Sequence, residues 1–138
     1  MKTYELWHRR LNLSDDSGFT LAELLVVILI LGILTSISFG IFINQRRKAW
    51  DTAIKADLRD ASTAQEAYFT DYSSYAADVA GLQSEGFKFS NPASYPNDAP
   101  AMTITLAPDS MSYCLAATSK SGQSWYLGSE TTLGTVAC

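Results

Sequence analysis

The chain has 138 residues and a net charge of −4 at pH 7, which is enough for one modest domain. Its C-terminal part is acidic and lacks the basic, aromatic-interleaved surface that a phosphate backbone requires, so we predict no specific nucleic-acid binding. The only histidine, His8, lies far along the sequence from the two cysteines, and no catalytic constellation is visible, so we expect neither an enzyme nor a metal site or cofactor.

Residues 1–18 contain a basic stretch, then Leu11 to Leu13, and then a polar cluster that ends at Gly18. A secretory signal runs from basic residues through an apolar stretch to small residues at the cleavage site. The order differs here, because the small residue precedes the apolar run. Cleavage after Gly18 would therefore leave the apolar segment on the mature chain.

Residues 19–43 are apolar or small and carry one charge, Glu23. As a helix they would span about 37 Å, enough to cross a bilayer with some tilt. At Gly32, ordinary membrane-helix composition and a local loosening or close approach of helices both remain open, whereas at Gly40 we favour helix flexibility. Basic residues lie on both sides of the span, so the positive-inside rule does not decide its orientation.

Residues 44–72 continue as an amphipathic helix. Three- and four-residue spacing relates a set of mostly apolar residues: Trp50, Ile54, Leu58, Ala61, Gln65, Tyr68 and Tyr72. This spacing places Tyr68 and Tyr72 in the core, with Phe69 and Tyr75 pinning the next loop, rather than in a stacked path or a sugar-binding patch. The basic run 46–48 fits anionic lipid headgroups or, in a filament, acids such as Asp51 or Asp57 of a neighbour.

The globular head is predicted to comprise residues 44–138. After the amphipathic helix, it is expected to contain a loop over 73–100 and an antiparallel sheet over 101–138. The loop is rich in Gly and Pro, with a short helix near 78–85. Strand-like stretches lie at 102–106, 111–119, 124–127 and 131–136. The predicted fold class is therefore α+β: a long N-terminal helix, its first half transmembrane, packed on a small antiparallel sheet.

Two cysteines, Cys114 and Cys138, lie in this sheet region. A disulfide between them would stabilise a small head by about 3 kcal/mol. Free thiols in a reducing compartment are the alternative. We favour the disulfide, because a preceding membrane segment can deliver the head outside the cytoplasm.

Glu23 is costly inside a membrane segment, by about 2.5 kcal/mol or more, unless it lies at the interface or has a partner. Cleavage after Gly18 would create an amino group at Phe19, one helical turn away. Paired with that amine on its own or a neighbouring chain, Glu23 would penalise subunits inserted at the wrong depth. It also lies near a helix N-terminus, where negative charge is favourable.

The Gly18-Phe19 junction, Glu23 at fixed spacing and the apolar run that follows resemble the type IV pilin and pseudopilin family, whose precursors carry a class III leader. The resemblance implies that a prepilin peptidase removes the leader 1–18 and that Phe19 becomes N-methylated. It implies a head outside the bacterial cytoplasmic membrane, and later an extracellular filament built by an assembly ATPase and a platform protein. Glu23 would then pair with the Phe19 amine of an adjacent subunit. Gly40 stands where many members have a proline, at a point where the helix would bend or melt.

The resemblance favours a structural pilin that self-associates into a type IV pilus and contacts lipid before assembly. The late cysteine pair looks like the family's disulfide-bounded C-terminal region and favours this interpretation. A pseudopilin of a type II secretion or DNA-uptake system is the alternative. A single-pass membrane protein that never polymerises is a further one, and it predicts no cleavage at Gly18.

Overall fold

The computed structural model describes residues 18–138, and the predictions for residues 1–17 lie outside this range. The described chain contains two α-helices, two 3₁₀ turns and three strands. In chain order these are α1 (Leu21–Tyr72), α2 (Val79–Ser84), the 3₁₀ turns Pro92–Ser94 and Pro96–Asp98, β1 (Thr103–Leu106), β2 (Tyr113–Thr118) and β3 (Ser124–Gly128).

Helix α1 is continuous over 52 residues, as the sequence pattern predicts. An 18-residue window within it has a mean hydropathy of 2.8, and the helix is long and apolar enough to cross a membrane. The chain divides into two units between Phe39 and Gly40, so that the C-terminal part of α1 belongs to the head. The α+β fold class is confirmed.

The three strands form one antiparallel sheet in the order β1-β2-β3. The predicted fourth strand, 131–136, is wrong: this segment makes only an isolated bridge, in which Gly134 exchanges two backbone hydrogen bonds with Tyr126 of β3. The reason is the disulfide, which joins Cys138 to Cys114 of β2. Since β3 lies between β2 and the bridge, the chain must leave the edge of β3 to reach Cys114.

The core of the head forms where one face of α1 meets the sheet and the loop. Ile54, Leu58 and Ala61 are fully buried and cluster with Leu115 of β2 and Leu82 of α2. Their three- and four-residue spacing puts the helical members on one face. Complete burial of each Leu or Ile side chain contributes about 1.5–3 kcal/mol.

The aromatic residues at the end of α1 follow the prediction only in part. Tyr68 packs against the core, and the Phe69 ring contacts the Tyr75 ring in a tilted arrangement at a centroid distance of 4.8 Å, which pins the loop. The core prediction for Tyr72 is wrong, because its side chain is 59% exposed and stacks on Tyr68 from outside. Helix α1 ends at Tyr72, and Ser73 adopts a φ of 56° that turns the chain away.

Two buried polar side chains of α1 hold the loop onto the helix. Gln65 donates from Nε2 to the carbonyl oxygen of Ala76 and accepts from its N–H at Oε1, at 3.0 and 2.8 Å. Asp57 accepts from the Tyr95 hydroxyl at 2.6 Å and from the Ser90 N–H at 3.0 Å. Asp57 is fully buried, so the prediction that it could meet basic residues of a neighbour is wrong.

The buried tyrosines predict how the head responds to alkaline pH. Burial, reinforced by the hydrogen bond to Asp57, raises the pKa of the Tyr95 hydroxyl, and burial also raises the pKa of Tyr113. A raised pKa contributes stability that is complete below the unfolded pKa of about 10 and is lost as the pH rises above it. The free energy of unfolding, measured by urea denaturation, should therefore fall once the pH passes about 10.

Tyr95→Phe is the matched control for this pH dependence. At neutral pH the variant should lose about 1–3 kcal/mol of stability, because the buried Asp57 carboxylate loses a donor. Its alkaline decline should be shallower than that of the native chain. Equal declines in the two proteins would show that Tyr95 does not carry the effect.

Gly128, at the end of β3, has no room for a side chain. An added Cβ would lie 2.7 Å from Thr131 Oγ1, 3.1 Å from the carbonyl oxygen of Tyr113 and 3.2 Å from Cys138 Cβ. Gly128→Ala should therefore lower the thermal stability of the head, by about 1–3 kcal/mol for such overpacking. Gly134→Ala is the control, since its nearest contacts are 3.8 Å or longer, and an equal loss in both variants would contradict the steric explanation.

Candidate assembly site

The N-terminus of α1 is closed by a capping box. The Thr20 hydroxyl accepts from the Glu23 N–H at 3.2 Å, while Glu23 Oε2 accepts from the Thr20 N–H and hydroxyl, each at 2.9 Å. This reciprocal arrangement satisfies backbone donors that have no partner within the helix. The role of Thr20 was not predicted from the sequence, although a Thr-x-x-Glu pattern before an apolar run is the usual signature of a capping box.

Glu23 has unused accepting capacity in this arrangement. Both hydrogen bonds to its carboxylate use Oε2, and within residues 18–138 no hydrogen bond to Oε1 is formed. Glu23 is also the only charged side chain between Gly18 and Ile43. A second donor, such as an ammonium group, can therefore bind Oε1 without opening the cap.

The predicted junction between Gly18 and Phe19 lies before the helix begins. Both residues are exposed and non-helical, and the Phe19 side chain is 85% exposed. An exposed peptide bond outside a helix is accessible to a peptidase, whereas a helical one must first unwind. The structure thus brings Gly18, Phe19 and Glu23 together at one end of α1.

The apolar residues that follow have no partner within the described chain. Every large apolar side chain from Leu21 to Phe42 is at least 48% exposed. Exposed apolar surface of this extent requires lipid or other helices, because soluble monomers rarely show contiguous apolar patches above a few hundred Å². This segment is therefore a surface for membrane residence or for helix–helix association.

The disulfide between Cys114 and Cys138 is confirmed. Its Cα atoms are 5.7 Å apart, and the two cysteines are separated by 24 positions in the sequence. It lies in the head, where it ties the C-terminal segment to β2. Within residues 18–138 no group of three or more His, Cys, Asp or Glu side chains could hold a metal ion.

Comparison with known proteins shows which family shares this N-terminal site and head. Residues 13–39 match the prokaryotic N-terminal methylation motif. The type IV wide pilus major component PilA4 of Thermus thermophilus is 38% identical over 113 residues, covering 81% of this chain and 80% of the relative. The chain belongs to the type IV pilin family. The type IV major pilin protein PilA of Myxococcus xanthus is 32% identical over 77 residues, covering 54% of this chain and 35% of that protein.

As a pilin, the chain is a structural subunit with one apolar helix half and a folded head. The two glycines of that helix half, Gly32 and Gly40, lie within continuous helix, and an added Cβ would meet nothing within 4 Å at either position. Packing within one pilin chain therefore does not require glycine there. The roles suggested for them in flexibility and close helix approach stay predictions.

Hydroxyl groups lie between these two glycines of the pilin. Thr35 donates to the carbonyl oxygen of Leu31, and Ser38 donates to that of Leu34. Such bonds to the preceding turn weaken and bend helices slightly. These two bonds lie in the turns just before Gly40, where the sequence predicts flexibility.

Proposed function

We propose that this pilin is made as a precursor, cut after Gly18, and polymerised through residues 19–43 into a type IV pilus. The observation that carries the proposal is the lone carboxylate of Glu23, held beside an exposed Gly18-Phe19 bond at the start of an uncovered apolar helix. The exposed apolar side chains of this segment need lipid or other helices to cover them, and a membrane-held precursor that later polymerises meets both in turn. The leader is then 1–18 and the head 44–138.

Before assembly, the segment 19–43 spans the bacterial cytoplasmic membrane as a single helix with the head outside. The hydrogen bond between Tyr95 and Asp57 and the disulfide both lie within the head. A disulfide persists in an oxidising compartment, which supports this orientation of the head. After assembly the head forms the surface of an extracellular filament.

Glu23 sets the register of assembly in this proposal. Once the leader is removed, the Phe19 amine, which becomes N-methylated, pairs with Glu23 Oε1 of an adjacent subunit, while Oε2 keeps the cap to Thr20. A buried carboxylate without a partner is strongly unfavourable in a dry bundle of helices. Subunits at the wrong depth would leave it unpaired and would be rejected.

The proposal requires several partners. A prepilin peptidase cuts the precursor, and an assembly ATPase with a membrane platform protein extracts the subunit from lipid. The pilin itself would act as a structural subunit, a role that the type IV major pilins among its relatives support.

The first test is the intact mass and N-terminal sequence of the protein from cells that contain its own membrane machinery. We expect a chain that begins at Phe19, with one added methyl group and two hydrogens fewer for the disulfide. A chain that still begins near Met1, in cells whose peptidase processes another substrate, would overturn the proposal. The interpretation would then turn to a single-pass membrane protein.

A further inference from the structure

We propose that the Trp50 cluster, formed by Arg46, Trp50 and Lys120, together with the flanking Arg47 and Lys48 of α1, binds phosphate groups of anionic lipid and docks the head on the membrane surface before assembly. The inference rests on the membrane-held precursor of the proposed function. Besides the basic residues of α1, the surface includes Lys120 from the turn between β2 and β3. Its ligand is the phosphate group of an anionic lipid.

The cluster is built around the Trp50 ring. The Arg46 guanidinium carbon lies 5.1 Å from the ring centroid, and Lys120 Nζ lies 6.0 Å from it. Both cations are within the range of cation–π attraction. The two charges are thereby collected on one aromatic side chain, although 74 positions of sequence separate Arg46 from Lys120.

The cluster lies at the depth of lipid headgroups if the apolar helix spans the hydrocarbon. Ile43 is the last residue of the apolar run, and Arg46 and Trp50 follow it by about 4 and 10 Å along the helix axis. Side chains on a helix tilt toward its N-terminus, which here is the membrane side. The headgroup region extends about 5–7 Å beyond the hydrocarbon, and tryptophan is enriched at that level.

The turn that carries Lys120 is fixed to α1 rather than loose. Asp51 of α1 accepts hydrogen bonds from the hydroxyls of Ser119 and Ser121, and the Lys120 N–H donates to the carbonyl oxygen of Ser94 at 2.7 Å. Contact of Lys120 with a lipid would therefore orient the whole sheet.

Nearby acids leave the cluster basic. Asp51 and Asp98 offset two of the four positive charges of Arg46, Arg47, Lys48 and Lys120, which leaves this surface with a net positive charge. The Lys120–Asp98 pair is exposed, so its net energy is small. An ammonium group has three donors, so Lys120 can bind a phosphate oxygen while it keeps Asp98. Arginine adds planar, two-point recognition of phosphate.

Lipid is favoured over a carboxylate of a neighbouring subunit as the occupant of this surface. Trp50 gives the cluster an aromatic side chain suited to the headgroup region, and the apolar run that ends at Ile43 leads directly into it. The surface is thus continuous with a membrane segment on the same helix.

The test uses the full chain in lipid nanodiscs, either phosphatidylcholine alone or with phosphatidylglycerol added. Hydrogen–deuterium exchange of the amides in residues 120–123 reports docking of the turn. We expect slower exchange in the anionic discs, and about fivefold weaker protection for Lys120→Gln, since each basic residue near an anionic surface contributes about that factor. Lys88→Gln removes the same charge outside the cluster and should leave the protection unchanged.

Each other outcome overturns the inference. Equal exchange in both kinds of disc, in a chain that has entered them, would contradict the contact between the cluster and anionic lipid. It would leave the membrane-held precursor of the proposed function standing. Equal protection in neutral discs supplied with inorganic phosphate would assign the surface to a free anion, and protection found only in assembled filaments would assign it to a neighbouring subunit. A chain that never enters the discs would contradict the membrane-held precursor and this inference with it.

Discussion

Replacing Glu23 by alanine should lower the yield of assembled filament by about a hundredfold or more, because removal of one member of a buried charged pair costs about 3–5 kcal/mol. The charge left behind would be the Phe19 amine of an adjacent subunit. The measurement is the amount of pilin in a sheared filament fraction, normalised to mature pilin in the membrane. The head core lies at Ile54 and beyond, so its folding should not change.

Two further substitutions separate the charge of Glu23 from its capping role. Glu23→Gln keeps the capping box but has no charge, and it should lose filaments as alanine does. Thr20→Ala removes the cap, which costs about 0.5–2 kcal/mol, but keeps the carboxylate and should retain filaments. If only the glutamine variant assembled, helix capping rather than charge pairing would be the role of Glu23. Glu130→Ala controls for loss of an exposed acid.

Removing the disulfide by Cys114→Ser with Cys138→Ser should destabilise the head by about 3 kcal/mol. This is a large share of the roughly 5–15 kcal/mol that holds a domain together. The bond closes a loop with a sequence separation of 24 and holds a segment that otherwise makes a single bridge to β3. In urea denaturation, the midpoint should fall by roughly 1–3 M.

Reductant provides the matched control for the cysteine variant. Dithiothreitol should shift the native chain to the midpoint of the double variant and should not shift the variant further. A double variant with the native midpoint would show that the bridge to Gly134 and the packing around Gly128 hold the segment without the covalent bond.

The features of this pilin that the sequence predicted are local ones. A charge-free run followed by three- and four-residue spacing determines one uninterrupted helix, and α1 has that form. The assembly site is equally local, since Gly18, Phe19 and Glu23 lie within six consecutive residues. Thr20 lies within the same six residues, and the Thr-x-x-Glu capping pattern would have identified its role in closing the helix.

The features that the sequence did not predict depend on distant partners. Asp57 resembles any surface acid of an amphipathic helix, and its burial depends on Tyr95, which is 38 positions away. The stretch 131–136 has the composition of a strand, but the bond from Cys138 to Cys114 draws it away from β3. Pairings across such distances have no local signal in one sequence.

The position of the buried core relative to the apolar run of α1 also defines where the chain could be truncated to give a fragment for study in aqueous solution. Every buried side chain of the described chain belongs to Ile54 or a later residue, whereas the apolar run ends at Ile43. A fragment that starts at Asn44 would keep the whole core, the disulfide and the Trp50 ring. Asparagine is among the best residues to begin a helix, so the shortened α1 would start with a suitable cap of its own.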